Sequence, residues 1–303
     1  MTFSSRRTAI RRGIVAAIAA AELSDFTSSV LFSEALVTYP GIQLYTVDKE
    51  LKDDIHGTLN TLRRIGYREV EGAGFIGLDP RLFRDALVSA DLKCKSTHFF
   101  TFGESDPNIL FEQANVLGVD YVVSSLIGKF SKKPAGIEMN ADDYKSMAEF
   151  CNQLGYAAKA AGLQFAYHNH NVEFRNLGHD TVGYDILLKA TDPELVKLEL
   201  DCGWMRAAGF NPIEYFKQYP NRYRMVHIKD FTPRKAPSLS LSRDERPEGT
   251  VLGTGFIQYK PILMAAKSSG VVHFYVEQEP PFIGMTALQA AERDYQYLES
   301  ILK

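Results

Sequence analysis

From Gly41 to its end, the chain alternates between short β-prone runs and longer amphipathic runs. Eight runs are rich in β-branched and aromatic residues, and each is followed by a segment in which a helix is plausible. Strand–helix units repeated in this way predict a parallel sheet, and eight of them predict a closed (β/α)8 TIM barrel. The predicted strands are residues 41–47, 67–73, 92–100, 119–127, 163–170, 195–201, 223–230 and 271–279.

The segments between these strands carry helical patterns. In residues 53–66, four apolar side chains share one face, and Gly66 stands where the helix is expected to end. Comparable patterns occupy residues 78–90, 141–162, 257–270 and 286–303. A doubly wound open sheet is the competing fold. No GxGxxG motif follows the first strand, which weakens the nucleotide-binding form of that alternative.

The first 39 residues differ from the rest of the chain. Four arginines, of which Arg6 and Arg7 form a pair after Ser5, precede an apolar run at residues 14–21. This is the layout of a twin-arginine export signal, and the apolar run is too short for a stable membrane span. An amphipathic N-terminal helix and a start codon assigned too far upstream are the alternatives. We expect residues 1–39 to be a signal and tether, residues 40–303 to be a single barrel domain, and the protein to be periplasmic.

The overall composition narrows the choice of partners. The chain has 303 residues, 45% of them hydrophobic, and a formal net charge of −3. The apolar fraction suffices for a large core. Nucleic-acid binders usually present a strongly basic face, so the slightly acidic balance argues against nucleic acid as a partner.

Histidines and carboxylates stand at or near the carboxyl ends of the later predicted strands. In a barrel these ends converge on the face where active sites are built. Mixed nitrogen and carboxylate ligands suit Mn²⁺, Zn²⁺, Co²⁺ or Fe²⁺ better than Ca²⁺, so this placement predicts a divalent metal site. The residues concerned are His168, His170, Asp201, His227 and Glu277, whereas His98, at the end of the third strand, is not expected to bind the metal.

Several motifs together resemble those of the xylose isomerase-like TIM-barrel family, often labelled sugar phosphate isomerase/epimerase. They are "YHNHNVEF", "LELDCGW", "MVHIKDF", "VLGTGFIQYKPIL" and "FYVEQE", with "GYREVEGAGFIGLDP" and "LKCKSTHF" upstream, so the resemblance covers roughly residues 41–303. It implies a divalent metal held by four side chains at the ends of strands five to eight, usually Glu, Asp, His and Glu. Asp201, His227 and Glu277 match the last three. His168 falls where many members have glutamate, and His170 is the second choice for that ligand.

This departure bears on the chemistry that the resemblance implies. Epimerases of the family exchange a proton between two glutamates on opposite faces of one carbon. Here Glu277 remains, and Glu173 is close enough in sequence to replace the other. A single base can still transfer a proton between neighbouring carbons on one face of the substrate, as in an isomerase. It can also remove the proton from the carbon beside a ketone while a leaving group departs from the next carbon, as in a lyase. The leading prediction is therefore a metal-dependent sugar isomerase or epimerase. The alternative is a lyase or dehydratase acting on a keto-sugar or 3-keto-glycoside.

Other residues are weaker candidates for substrate contact or proton transfer. Trp204 stands where epimerases often have a histidine, which suggests a sugar ring stacked on an indole. Lys229 and His98 are candidates for substrate binding or acid–base work. Glu71 and Glu199 are expected to line the barrel. Glu199 is either a partner of the metal ligands or one half of a buried ion pair with Lys229 or Lys95.

The polar loop at residues 229–255 begins at the expected active face. Long loops in this position are often lids or specificity elements, although a subunit contact is an alternative. The expected partner is a small sugar or keto-glycoside, and the resemblance allows a homo-oligomer. Two further function classes are a non-catalytic sugar-binding barrel and an endonuclease-like barrel. The latter would need a richer metal cluster and a basic surface.

Overall fold

The computed structural model describes residues 39–99, 106–125, 127–130, 138–242 and 244–302. Its centre is a closed barrel of eight parallel strands in the order β1-β10-β7-β6-β5-β4-β3-β2, so the predicted TIM barrel is confirmed. The export prediction falls almost wholly on residues 1–38, which lie outside the described part. The barrel strands are β1 (Gly41–Gln43), β2 (Glu69–Ala73), β3 (Lys93–His98), β4 (Tyr121–Ser124), β5 (Gln164–His168), β6 (Val196–Asp201), β7 (Tyr223–Ile228) and β10 (His273–Val276).

Helices connect successive strands and cover the outside of the barrel. The five helical patterns predicted from the sequence each coincide with a helix, and the ends agree within about two residues. The helices are α1 (Asp48–Asp53), α2 (Ile55–Ile65), α3 (Pro80–Ser89), α4 (Pro107–Leu117), α5 (Ile127–Phe130), α6 (Ala141–Ala160), α7 (Gly183–Ala190), α8 (Cys202–Ala207), α9 (Pro212–Gln218), α10 (Tyr259–Ser268) and α11 (Ala287–Leu302).

Local chemistry sets the ends of helix α2. The Asp54 carboxylate accepts the Gly57 N–H at 2.9 Å and satisfies one of the free donors of the first turn. Gly66 ends the helix at φ +136°, a conformation that side chains rarely adopt, and its N–H donates to the Leu62 carbonyl. The predicted role of Gly66 is therefore confirmed.

An apolar floor inside the barrel positions the polar face above it. Four fully buried side chains from β4, β5, β7 and β10 pack together there: Val123, Ala166, Met225 and Tyr275. Side chains two residues apart on a strand share a face. Two residues further along these four segments come Ser125, His168, His227 and Glu277, which all line one cavity. Because side chains alternate along each strand, these polar groups lie at the mouth of the barrel, above the apolar floor.

The first strand is shorter than its pattern predicts. The prediction ran to residue 47, whereas β1 ends at Gln43 and a 3-10 turn follows at Leu44–Val47. The Gln43 side chain accepts the Tyr45 N–H at 2.9 Å, so a local hydrogen bond competes with the sheet ladder. The turn brings Tyr45 to the mouth of the barrel.

The loop after β7 is anchored at its base. Strands β8 (Asp230–Phe231) and β9 (Gly249–Thr250) pair antiparallel and form a separate two-stranded ladder. The Asp230 carboxylate accepts N–H groups from Phe231, Gly253, Gly255 and Ile257. Both ends of the loop are thus tied to one side chain beside the site. Among the described residues, no helix combines the length and apolar character needed to cross a membrane.

Candidate metal centre and active site

Asp201 is the central carboxylate of the site. It ends β6 and caps α8, because its Oδ1 accepts the Trp204 N–H at 2.7 Å. Its Oδ2 is buried and has no hydrogen-bond partner among the residues that the structure describes. Gly203 allows this tight entry into α8, since a Cβ there would lie 2.5 Å from the Lys229 carbonyl oxygen. Lys229 Nζ lies 3.4 Å from this oxygen and offsets its charge, but a buried carboxylate oxygen without a hydrogen bond is still costly unless a ligand satisfies it.

Two imidazole nitrogens flank this oxygen. His168 Nε2 and His227 Nδ1 each lie 4.0 Å from Asp201 Oδ2. Glu277 Oε2 lies 2.9 Å from His227 Nδ1. Atoms that bind one cation at about 2.0–2.2 Å are separated by about 3–4 Å, so the two 4.0 Å distances fit ligands of a single ion. The structure therefore brings Asp201, His227 and Glu277 together, with ligand atoms within 4.8 Å of one another, and it places His168 beside them through the 4.0 Å approach to Asp201.

Asn169 fixes the relative position of β5 and β6 beside the site. Its Oδ1 accepts the Asp201 N–H at 3.1 Å, and its Nδ2 donates to the Asp201 carbonyl at 3.4 Å. The side chain thus adds hydrogen bonds between the ends of β5 and β6, where the backbone pairing of the two strands stops. The sequence placed Asn169 between two histidines but gave no signal for this role.

Glu71 and Glu199 lie directly below the four predicted ligands, fully buried. Glu199 Oε2 lies 2.9 Å from His168 Nδ1, and Glu71 Oε2 lies 2.6 Å from His227 Nε2. Substrate binding was predicted for both residues, and it is corrected because other side chains separate them from the cavity. The predicted ion pair of Glu199 with Lys229 or Lys95 is also wrong. Lys229 contacts other carboxylates, and Lys95 pairs with Asp120 on the surface at 2.9 Å.

His98 joins these two carboxylates. Its Nε2 lies 2.7 Å from Glu199 Oε2 and 3.3 Å from Glu71 Oε2. Burial alone would lower the pKa of His98, but the charges of Glu71 and Glu199 outweigh it and raise the pKa to about 9. His98, His168, Glu199 and His227 form a second group with metal-ligand geometry, since their ligand atoms lie within 4.8 Å of one another. The sequence did not predict His98 in such a group.

Lys229 supplies the positive charge at the mouth. Its Nζ lies 2.7 Å from Glu277 Oε2, 2.6 Å from Glu279 Oε1 and 3.4 Å from Asp201 Oδ2. Burial would lower its pKa, yet these three carboxylates hold the pKa well above the usual lysine value. Lys229 is therefore a buried ammonium that faces the cavity.

Glu277 was predicted to act both as metal ligand and as base. Burial would raise its pKa, but Lys229 and His227 outweigh burial and hold the pKa well below its ordinary value. Glu277 is therefore ionised. Its position beside His227 fits a metal ligand, and its role as base stays a prediction.

Glu173 does not reach the cavity. It is fully buried and accepts the Tyr167 hydroxyl at 2.8 Å and the His170 N–H at 3.0 Å. Burial raises its pKa to about 7. These contacts hold the turn that follows β5, and Glu173 is absent from the described residues that line the cavity. The predicted role as a replacement base is corrected on this ground.

Trp204 offers no open face to a sugar ring. Its side chain is 2% exposed, because Phe231 packs against it with ring centroids 4.9 Å apart. The Lys229 ammonium lies 5.0 Å from the centroid of the indole. The predicted stacking role is therefore wrong, and the indole supports Lys229 instead.

The cavity above the predicted ligands has a volume of about 370 Å³, which suits a small polar substrate. His170 faces it, and burial, with the nearby charge of Lys229, lowers its pKa to about 3. The described lining residues are Gln43, Tyr45, His98, Ser125, His168, His170, His227, Lys229, Glu277 and Glu279. Tyr45, Ser125 and Glu279 were missed. The two-residue spacing from Glu277 could have indicated Glu279, whereas no pattern pointed to Tyr45.

A family model described as xylose isomerase-like TIM barrel matches residues 59–301. The chain belongs to this family. Among the relatives of this xylose isomerase-like barrel, the inosose dehydratase of Clostridium perfringens is 25% identical over 282 residues, which cover 84% of this chain and 92% of the relative. The inosose dehydratase of Clostridium tetani is 29% identical over 243 residues, covering 71% and 79%. The predicted family resemblance is confirmed, and the family is one of enzymes.

Solved structures share the fold. A sugar phosphate isomerase/epimerase from Parabacteroides distasonis has a TM-score of 0.69 at 24% identity, covering 89% of this chain and 98% of its own. The IOLI protein, solved with a bound zinc atom, has a TM-score of 0.66 at 18% identity, covering 88% and 98%. At these identities the comparison shows that the two proteins share the barrel fold with this chain.

Proposed function

We propose that the protein is a metal-dependent dehydratase, a carbon–oxygen lyase that acts on a small keto-polyol or keto-sugar. The observation that carries the proposal is the buried Asp201 Oδ2, which has no hydrogen-bond partner among the described residues and is flanked by His168 Nε2 and His227 Nδ1 at 4.0 Å. The two histidines line a substrate-sized cavity. The inosose dehydratases, matched over most of their length, support the reaction class. They favour the lyase alternative over the isomerase or epimerase that the sequence put first.

The donor set fits a divalent cation. His168, Asp201, His227 and Glu277 would hold it, and two imidazoles with two carboxylates suit Zn²⁺, Mn²⁺, Co²⁺ or Fe²⁺. When bound, such an ion supplies Lewis acidity that polarises the carbonyl group of a substrate. The zinc atom in the IOLI protein supports the ligand class but does not choose among these metals.

The chain supplies the groups that move protons. Glu277 lies on the cavity wall in its ionised form, so it is the residue that we assign as acceptor of the proton beside the ketone, and the uncharged His170 faces the same cavity. The C–H electron pair becomes the new carbon–carbon double bond as the hydroxyl leaves the next carbon. Lys229 presents an N–H from the same wall and donates the proton with which that hydroxyl leaves as water.

The charge of the cavity favours a substrate without a phosphate group. The described lining residues include two glutamates and a single lysine, whose ammonium is already shared among three carboxylates. Arginine, which binds phosphate best, is absent from the described lining. A keto-sugar or keto-cyclitol therefore fits better than a sugar phosphate.

A keto-glycoside is the second candidate substrate. A narrow space of about 30 Å³ next to Lys229 and Glu279 leads towards Arg246 and Pro280. These last two residues also line an outer cavity of about 600 Å³. A leaving group larger than hydroxyl could extend in this direction if the Arg246–Glu279 contact at 3.2 Å opened.

The reaction is tested with purified protein, added Zn²⁺ or Mn²⁺, and 2-keto-myo-inositol, 3-keto-glucose and a 3-keto-glucoside as substrates, in deuterium oxide. A dehydratase yields a product lighter by one water, or a released aglycone from the glycoside. Solvent deuterium at the carbon beside the ketone would report proton abstraction. A product of unchanged mass and inverted configuration would instead establish the epimerase, and binding without any turnover would support a sugar-binding barrel.

Export remains part of the proposal. A periplasmic enzyme would meet unphosphorylated sugars, which agrees with the charge of the cavity. Cell fractionation of the wild type and an Arg6→Lys/Arg7→Lys variant tests this location. We expect the variant to stay in the cytoplasm, and an unchanged distribution would contradict twin-arginine export.

A further inference from the structure

We propose that Glu71 and Glu199 are positioning residues of the metal centre, which turn the metal-binding nitrogens of His227 and His168 towards Asp201. The inference rests on the proposed function in one respect, because it takes a divalent cation to bind beside Asp201. It goes further by giving a role to two buried carboxylates that neither ligate the cation nor reach the substrate.

The contact between His168 and Glu199 selects one tautomer. A neutral imidazole has one N–H and one lone pair, and a carboxylate only accepts hydrogen bonds. His168 Nδ1 lies 2.9 Å from Glu199 Oε2, so Nδ1 carries the hydrogen. The lone pair is then on Nε2, the nitrogen 4.0 Å from Asp201 Oδ2.

His227 is oriented in the same way, but through its other nitrogen. Its Nε2 lies 2.6 Å from Glu71 Oε2, and its Nδ1 faces Asp201 Oδ2 and Glu277 Oε2. Of the carboxylates around this ring, Glu71 and Glu199 lie on the Nε2 side, at 2.6 and 3.3 Å, and away from Asp201. Nδ1 also lies 2.9 Å from Glu277 Oε2, so without a cation both ring nitrogens face carboxylates. A cation at Nδ1 would take the place of the hydrogen on that side, while the N–H directed at Glu71 remains.

His98 and Gln43 hold the two carboxylates in place. Gln43 Nε2 donates to Glu71 Oε2 at 2.8 Å, and His98 Nε2 lies between both carboxylates. Neither Glu71 nor Glu199 has a lysine or arginine within 4.0 Å among the described residues. Burying two carboxylates with imidazoles as their charged partners is costly, and orienting metal ligands is a function that accounts for it.

The competing arrangement is ligation by Glu199 itself. The group His98, His168, Glu199 and His227 also has ligand atoms within 4.8 Å of one another. In that arrangement the cation would bind His168 through Nδ1 and His227 through Nε2. The two arrangements therefore predict opposite tautomers for both rings.

Zinc-loaded wild-type protein with ¹⁵N-labelled histidine decides between them by long-range ¹H–¹⁵N spectra. We expect His168 to bind zinc through Nε2 and to keep its hydrogen on Nδ1, with the reverse in His227. Coordination through His168 Nδ1 would overturn the inference. This measurement needs no substitution in the buried layer, so it stands even if a variant fails to fold.

Zinc affinity, measured by competition with a chelator, tests the role directly. Glu199→Gln and Glu71→Gln are expected to weaken binding roughly 10–100-fold, the usual effect of losing an orienting partner. Glu69→Gln is the matched control, because Glu69 also pairs with a histidine, His273 Nδ1 at 2.7 Å, but away from the cavity. It should leave the affinity within about twofold. Unchanged affinity in both Glu71→Gln and Glu199→Gln would contradict the proposal.

The outcomes separate this inference from the proposed function. A wild type that binds no zinc overturns both. Zinc bound with the opposite tautomers overturns the positioning role alone. Zinc bound as expected by a protein that dehydrates no keto-substrate overturns the proposed reaction and leaves the positioning role standing.

Discussion

The two ends of the barrel each hold a glutamate–histidine pair, and strand β2 contributes the glutamate to both. At the amino end, Glu69 Oε1 lies 2.7 Å from His273 Nδ1, and at the carboxyl end Glu71 Oε2 lies 2.6 Å from His227 Nε2. The side chains of the first pair are 22% and 14% exposed, whereas those of the second are 0% and 1% exposed. Pair geometry alone therefore does not mark a site.

The surroundings of the two pairs differ in what they leave unsatisfied. His273 packs between Tyr121 and Tyr275, with ring centroids 5.6 and 6.1 Å away, and water reaches its glutamate. His227 lies beside Asp201, whose Oδ2 is buried without a hydrogen bond in the described structure. A carboxylate–imidazole pair at a solvated end is a modest structural contact. The same pair beneath a buried acceptor that no hydrogen bond satisfies prepares a ligand site.

Asp201→Asn should have the largest effect on turnover and on zinc binding. The amide oxygen can still accept the Trp204 N–H and cap α8, so the fold is preserved, but the anionic ligand is lost. We expect turnover to fall by roughly 10²–10³-fold or more, the loss typical of removing one electrostatic stabiliser. Bound zinc should also fall well below one equivalent. Full activity with full metal content would show that Asp201 is not part of the centre.

Lys229→Met should lower kcat without changing the amount of zinc that the protein binds. The substitution removes the ammonium but keeps the length of the side chain, and the four predicted ligands remain. We expect a loss of about 10²–10⁴-fold in kcat, typical for removal of a general acid, with zinc content unchanged. Lys95→Met is the surface control, because the exposed Lys95–Asp120 pair contributes little. A wild-type kcat in Lys229→Met would exclude the assigned proton donor.

Asp294 extends the comparison of the two glutamate–histidine pairs to a buried carboxylate that has no histidine partner. Its Oδ1 accepts the Leu252 N–H at 2.7 Å, and burial raises its pKa to about 7. Because the folded state holds this proton more tightly than the unfolded state, its stabilising effect is complete below about pH 4 and is lost as pH rises towards 7.

Urea unfolding at pH 5 and pH 8 measures the consequence. Asp294→Asn should gain stability relative to the wild type at the higher pH, by on the order of 1 kcal/mol. A difference between the two proteins that does not change with pH would contradict the raised pKa.

His273→Gln should have the smallest effect. The pair that it breaks is partly solvated and away from the cavity, so we expect less than about 1 kcal/mol in the free energy of unfolding. Turnover and zinc affinity should stay within about twofold. A loss of zinc comparable to that of Glu71→Gln would remove the distinction between the two ends.

The sequence predicted the barrel because each strand has its own local pattern, and the closure follows from their number. It also predicted that the four candidate ligands lie near one another, since carboxyl ends of barrel strands meet on one face. It could not predict which glutamates reach the cavity. Glu71 lies within β2 and is buried against His227, whereas Glu279 follows the end of β10 and lines the cavity wall.

Other failures come from tertiary contacts that no local pattern encodes. Trp204 was expected to face a sugar, but Phe231, 27 residues later, covers it once β8 folds back beside the site. Glu173 was expected to be a base, but it turns inward to the Tyr167 hydroxyl. Both corrections depend on how the loops after β5 and β7 pack against the barrel.

The most direct test of the central claim is anomalous X-ray scattering from crystals grown with Zn²⁺, recorded on both sides of the zinc absorption edge. We expect one strong peak inside the barrel, about 2.0–2.2 Å from Asp201 Oδ2, His168 Nε2, His227 Nδ1 and a Glu277 oxygen. A peak bonded instead to His98 and Glu199, or no peak within the barrel, would contradict it.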